Sequence, residues 1–197
     1  MKRVIAFLVL GLVATAGAQK YPTDKGSMML GGSAYYVLES GKMHENEDGD
    51  KYSSFSLSPH VDYFIAPGLA VGGSVDIGRW AQGDNSGSWL GLGPEVYYFI
   101  GGNVKPNPIK GKPLPFVTAC YSFENTTSKY KSDGETTESK NKYTDLSLGA
   151  GLMIMLSNAV ALDARLTYWM QTAQYGDEDK LKGNEIEISF GFSAFTY

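Results

Sequence analysis

Two histidines, one cysteine and a scatter of carboxylates are the side chains in this chain that could do chemistry. Eight charged residues fall on the polar side of alternating segments: His60, Asp62, Asp76, Glu95, Asp145, Asp163, Arg165 and Glu187. Six carboxylates then share one space with one arginine and one histidine, so simple pairing cannot neutralise them. The plainer reading is an ionic network that fills a narrow interior, with Arg165 as its central cation. The functional reading is an acidic, partly wet interior that prefers cations. Arg79 lies on the opposite, outward parity, where a guanidinium could pair with a phosphate or snorkel to water.

Catalysis finds little support. His44 and His60 have no serine and carboxylate at a spacing that suggests a nucleophile and base. Cys120 reads as a small inward filler. Gly72-Gly73 and Gly101-Gly102 belong to a strand and a turn, not to a phosphate loop. Glu45, Asn46, Glu47, Asp48 and Asp50 supply oxygens but not the spacing of a calcium loop, and Asp177, Glu178 and Asp179 fare the same. No metal and no cofactor is expected. With Lys2 and Arg3 set aside as part of a leader, 15 basic residues face 21 acidic ones, which argues against nucleic acid as a partner.

The elements that must position these residues are strands. Leu57-Ser58-Pro59-His60-Val61-Asp62-Tyr63-Phe64-Ile65 returns as Leu92-Gly93-Pro94-Glu95-Val96-Tyr97-Tyr98-Phe99-Ile100, with only three positions changed. Apolar residues occupy every second place, the period of a strand. One face is continuously apolar while the other carries Ser58, His60 and Asp62, or Gly93, Glu95 and Tyr97. Such a strand suits lipid on its broad side and a small lumen on its narrow side.

Turn chemistry divides the chain into eight predicted strands. They run Met28 to Leu38, Ser54 to Ile65, Leu69 to Trp80, Leu90 to Ile100, Pro115 to Glu124, Thr144 to Leu156, Val160 to Met170, and Glu185 to the C-terminus. Turns are expected near Pro67, between Gly101 and Pro113, and at Asn158. Polar loops are expected over Gly41 to Lys51, Ala81 to Ser88, Asn125 to Lys142 and Gln171 to Gly183. The third of these, with Lys129, Lys131, Asp133, Glu135, Glu138 and Lys140, reads as solvated loop or projecting ribbon. Pro106, Pro108 and Pro113 suggest an extended spacer in the second turn. Tyr63 and Tyr98 at the turn end, and Tyr36, Phe55, Phe123 and Tyr168 near the loops, are placed as two interfacial girdles.

The two ends of the chain complete the pattern. Lys2 and Arg3, an apolar run from Val4 and Ala16-Gly17-Ala18 read as a secretory leader spanning 1–18, too short to span a bilayer. Residues 19–26 then form a periplasmic lead-in and 27–197 the barrel. The last segment alternates through Ile186, Ile188, Phe190 and Phe192, but Phe195 and Tyr197 change parity. The strand should therefore end near Ala194 or switch faces at a bulge.

From Met28 to Tyr197 the chain resembles the eight-stranded outer-membrane β-barrel domains related to OmpA and OmpX. The resemblance rests on Pro-x-Val-x-Tyr-Phe before a short turn, on Leu69-Ala70-Val71-Gly72-Gly73 after it, and on the aromatic terminus. It implies an all-β, antiparallel, up-and-down transmembrane barrel in the bacterial outer membrane, termini in the periplasm, with no globular tail. Phe195 and Tyr197 would be the assembly signal read by the barrel assembly machinery. Outer-membrane lipid, lipopolysaccharide and some exterior ligand or host surface would be its partners, and it would be a monomer. The expected role is envelope structure or surface interaction without enzymatic activity; a narrow porin-like cation channel and, more distantly, a lipid A-modifying enzyme are the alternatives. The rival fold is a soluble lipocalin-like barrel, which needs the apolar faces inside.

Overall fold

Alternating sequence closes on itself here. In the computed structural model, which describes residues 21–39, 49–102, 109–132, 135–175 and 180–197, eight antiparallel strands form a closed barrel in chain order. They are β1 (Met28–Glu39), β2 (Tyr52–Ala66), β3 (Leu69–Gln82), β4 (Asn85–Phe99), β5 (Pro113–Ser132), β6 (Glu135–Met155), β7 (Val160–Tyr175) and β8 (Leu181–Thr196). The proposed leader lies outside the described residues, as do His44, the Glu45–Asp48 acids, Pro106, Pro108, Asp133 and the acids Asp177, Glu178 and Asp179.

The faces sort as a lipid-facing barrel requires and not as a lipocalin-like one. Val61, Val96, Leu92, Leu148, Leu152 and Leu166 all point outward and are exposed. Tyr36, Phe55, Tyr63, Tyr98, Phe123 and Tyr168 are exposed on the same outer surface. At seven of the eight strand junctions, and along the lower part of the β1–β8 junction, backbone groups are satisfied strand to strand, which is what hydrocarbon demands. Inside, large side chains meet glycines on the adjacent strand. Phe116 sits opposite Gly151, Trp89 opposite Gly78, and a Cβ on either glycine would run into the ring it faces.

Turn chemistry locks the hairpins. Pro67-Gly68 joins β2 to β3, with Gly68 at φ 77°, the conformation the third residue of a type II turn needs. Ser157 Oγ accepts from the amides of Ala159 and Val160 at 3.2 and 3.1 Å, closing the β6–β7 turn.

Four expectations need correction. The polar stretch Ala81 to Ser88 is strand on both sides of a two-residue turn at Gly83-Asp84, where Gly83 takes φ 58°. The stretch Asn125 to Lys142 is the far part of a β5–β6 ribbon of 20- and 21-residue strands, the projecting alternative. Likewise β7 and β8 run on to Tyr175 and start at Leu181, inside the expected fourth loop. Beyond the membrane both faces of a strand are wet, so the apolar alternation vanishes while the ladder continues.

The second correction concerns the connection to Pro113: Ile109 turns back and is buried, and Gly111 N donates to Met155 O at 2.7 Å. A stretch read as a spacer is thus, from Ile109 on, a cap. Third, β8 neither stops at Ala194 nor bulges. It alternates to Thr196, which carries Phe195 to the inner face, only 4 % exposed, so this aromatic does not face lipid. Fourth, the inner face is not polar throughout, because its turn end is apolar.

Two measurements check this arrangement. Leu166→Arg should cost about 2–4 kcal/mol in urea unfolding from lipid vesicles, as expected for a cation within the apolar belt. Gly151→Val should cost roughly 1–3 kcal/mol, since Phe116 and the Ala164 carbonyl leave its side chain no room.

Candidate functional site

The repeated segment builds the interior. β2 and β4 flank β3, whose inward residues at this level are Ala70, Gly72 and Ser74. His60, Asp62 and Phe64 on one side, and Glu95, Tyr97 and Phe99 on the other, therefore converge over a strand with almost no side chain. Three layers result.

The layer nearest the turns is a plug. Phe64, Phe99, Phe116 and Phe195 pack with Met29, Met153 and Met155, all essentially buried. Ring centroids lie 5.7 Å apart for Phe64–Phe99 and for Phe99–Phe116, and 6.4 Å for Phe64–Phe195. Tyr21 to Ser27 crosses beneath: Gly26 N donates to Phe64 O at 2.9 Å, and Thr23 Oγ1 donates to Gly102 O at 2.9 Å. The sequence carried a signal for this plug, because Phe64 and Phe99 share parity with His60 and Glu95.

The middle layer is ionic. His60 Nδ1 lies 2.6 Å from Asp62 Oδ2 and 3.3 Å from Glu95 Oε1. Asp62 and Glu95 reach one histidine because both pair with Gly72, which has no side chain to separate them. The three groups are buried and close enough to offer ligand atoms to one ion. Their other contacts are protein ones: the His60 ring stacks on Tyr97 at 5.6 Å. Arg165 Nη1 donates to the Tyr97 hydroxyl at 2.9 Å. Among the described residues, the group within ion-pair distance of the deep carboxylates is thus His60, not the expected central Arg165.

Above these lies a cavity of about 740 Å³ toward the loop end. Asp76, Asp145, Arg165 and Glu187 line it together with His60, Glu95 and Cys120, whereas Asp62 and Asp163 sit outside its wall. Asp76 is well satisfied: Trp89 Nε1 donates at 2.8 Å, and Ser58 and Ser56 hydroxyls at 3.2 and 3.3 Å. Asp145 Oδ1, Trp169 Nε1 and Arg165 Nε are buried without a protein partner. Glu124 and Glu185 also line the cavity. Sequence reasoning missed both: Glu124 ended a predicted strand, and Glu185 began one. Continued alternation from Cys120 and Glu187 would have found them. Arg79 is exposed on the outer surface beside Phe55.

In chemical terms the interior is a dead-end acidic well above a hydrocarbon stopper. It can hold a cationic or hydrogen-bonding group. The Cys120 thiol has Ser74 Oγ, not a base, as its hydrogen-bond neighbour at 3.7 Å.

Comparison with known proteins agrees with this architecture. No curated protein matches the chain in sequence. Neisserial surface protein A superposes with a TM-score of 0.51 at 16% identity, over 86% of this chain and 97% of that one. The N-terminal β-barrel domain of Pseudomonas aeruginosa OprF gives a TM-score of 0.49 at 17% identity, covering 87% of this chain and 98% of that one. The family model described as outer membrane protein beta-barrel domain matches residues 5–193, and with the ring, the apolar belt and the plugged lumen it establishes that this chain belongs to that outer-membrane β-barrel family.

Proposed function

We propose that this barrel works at its loop end, as an envelope-structural and surface-interaction protein, and does not pass solutes through its lumen. The observation that carries the reading is the Phe64–Phe99–Phe116–Phe195 plug, which closes the turn end under an open acidic well. A narrow channel would need those rings to part. The turn end, with the N-terminal strap beneath it, faces the periplasm in this reading, and the ribbon faces outward. Arg79 then meets lipopolysaccharide phosphate at the outer girdle, and Phe195 and Tyr197 take part in recognition during assembly.

The ribbon is built to stay extended. Tyr52 stacks on Trp80 at 6.2 Å, and Trp80 meets Tyr130 at 6.1 Å. Lys131 Nζ donates to Asp84 at 2.8 Å, and its amide donates to Asn85 Oδ1 at 3.0 Å. Glu138 meets Lys140 of its own strand at 3.2 Å and Lys129 across the pair at 3.9 Å. These contacts join the tip of the β3–β4 hairpin to the ribbon and present mixed charge to a partner. That is the form of an adhesive or scaffolding surface.

Planar-bilayer recordings should find the native protein silent. The Phe99→Ala/Phe116→Ala variant should pass a small cation-preferring current, and anion preference there would contradict the acidic well. Trypsin added to intact cells should cut at Lys129 or Lys131, with the barrel core retained. Protection in intact cells and cutting only after lysis would invert the orientation.

A further inference from the structure

The ring is not equally closed all round. Between β1 and β8 the ladder runs from Met28↔Thr196 to Gly32↔Phe192 and ends there. Beyond it, among the described residues, Ser33–Glu39 pair with β2, and Leu181–Gly191 pair with β7. Each strand thus turns one backbone edge toward the gap. The gap starts halfway up β1 and reaches the Tyr36 girdle, roughly 13 Å at about 3.3 Å per residue. It therefore lies in the loop-side half of the belt.

Two further observations meet at this point. The acidic cavity is walled there by Tyr35 on the inner face of β1, and by Ile188 and Phe190 of β8, two residues that belong to the outer face. It therefore opens sideways. Ile186, Ile188 and Phe190 are 70%, 69% and 74% exposed, while Val96, Leu152 and Leu166 in the closed wall are 41%, 42% and 53% exposed. Directly below, an apolar groove of about 550 Å³ runs over Leu30, Leu57, Pro59, Val160 and Phe192. Cavity and groove share Ser33 and Ala34. An open sheet edge is tolerated at membrane depth only where it borders a wet cavity, and this one does.

We propose that the β1–β8 opening is a binding site for a single-tailed cationic amphiphile, with its ammonium head in the lumen and its tail in the outer groove. The head would sit among Asp76, Glu124, Asp145, Glu185 and Glu187, which outnumber Arg165 as the cation lining the cavity. Opposite charge at close range in a partly dry site favours such a head and opposes an anionic one. The tail leaves between Tyr35 and Phe190 and lies along Phe192 and Pro59. The site is independent of the exterior ribbon and needs no passage through the plug.

The test uses the full chain in phosphatidylcholine vesicles, with Cys120→Ser as background. Leu30 and Ala194 are paired outer residues, and continuing that register would bring Ala34 to Phe190. Leu30→Cys/Ala194→Cys should form an intramolecular disulfide on oxidation, and Ala34→Cys/Phe190→Cys should not, because only the first pair is within bonding reach. Hexadecyl probes carrying a nitroxide on a quaternary ammonium or a phosphate head then report on Trp89 and Trp169, which line the cavity. The cationic probe should quench at roughly tenfold lower concentration, a difference of about 1.4 kcal/mol, and Asp145→Asn/Glu187→Gln should erase the preference.

Several outcomes would overturn the proposal. Disulfide formation as readily at Ala34/Phe190 as at the control pair would mean the ladder closes in lipid. A dimer linked through those cysteines would give the edge to a second copy. Equal quenching by both heads, or by neither, would remove the cationic ligand.

Discussion

An eight-stranded ring has little interior space, so large inward side chains need small residues close by, and much of this structure follows from that constraint. At four places where a ring or a carboxylate points inward, a neighbouring strand carries glycine at the paired position: Gly31 for His60, Gly72 for Asp62, Gly78 for Trp89, Gly151 for Phe116. At these strand positions glycine is a matter of space, whereas Gly68 and Gly83 serve the turns through their positive φ. At Gly72 the same economy becomes electrostatic, because two carboxylates from different strands can reach one histidine only across a residue without a side chain.

The interior is thus graded along its axis: hydrocarbon at the turn end, a compact ionic layer above it, then a hydrated well. The gradation matters for charge. The deep carboxylates Asp62 and Glu95 are held by His60, while the shallower ones at the well can be screened by water. The excess of negative charge inferred from composition is consequently borne at the open end, where it is least costly.

Much of this was legible in the sequence, and what was not has physical reasons. Strand number, antiparallel order and the outward faces followed from alternation, and the Leu57–Ile65 repeat marked the two strands that build the ionic layer. Strand length was underestimated for β5 and β6, because lipid imposes periodicity only within the belt. Phe64 and Phe99 went unrecognised as a plug since hydrophobicity alone says nothing of which side of a barrel wall a ring occupies; parity does. The change of parity at Phe195 was read as a strand end or a bulge, whereas unbroken alternation simply carries Phe195 inside. The partial β1–β8 ladder had no sequence signal at all, being a property of two strands farthest apart in the chain.

That partial ladder also bears on how the molecule assembles. Joining Met28 to Thr196 closes a loop of nearly the whole chain, the contact with the greatest entropic cost in the fold. Seven hairpin neighbours can zip locally, each with a short connection or a long ladder to drive it. The eighth junction has five residue pairs to hold it. Ring closure is then the latest event in folding and the first to reverse. Under load, this barrel would unroll into a sheet from that junction before it lost any hairpin.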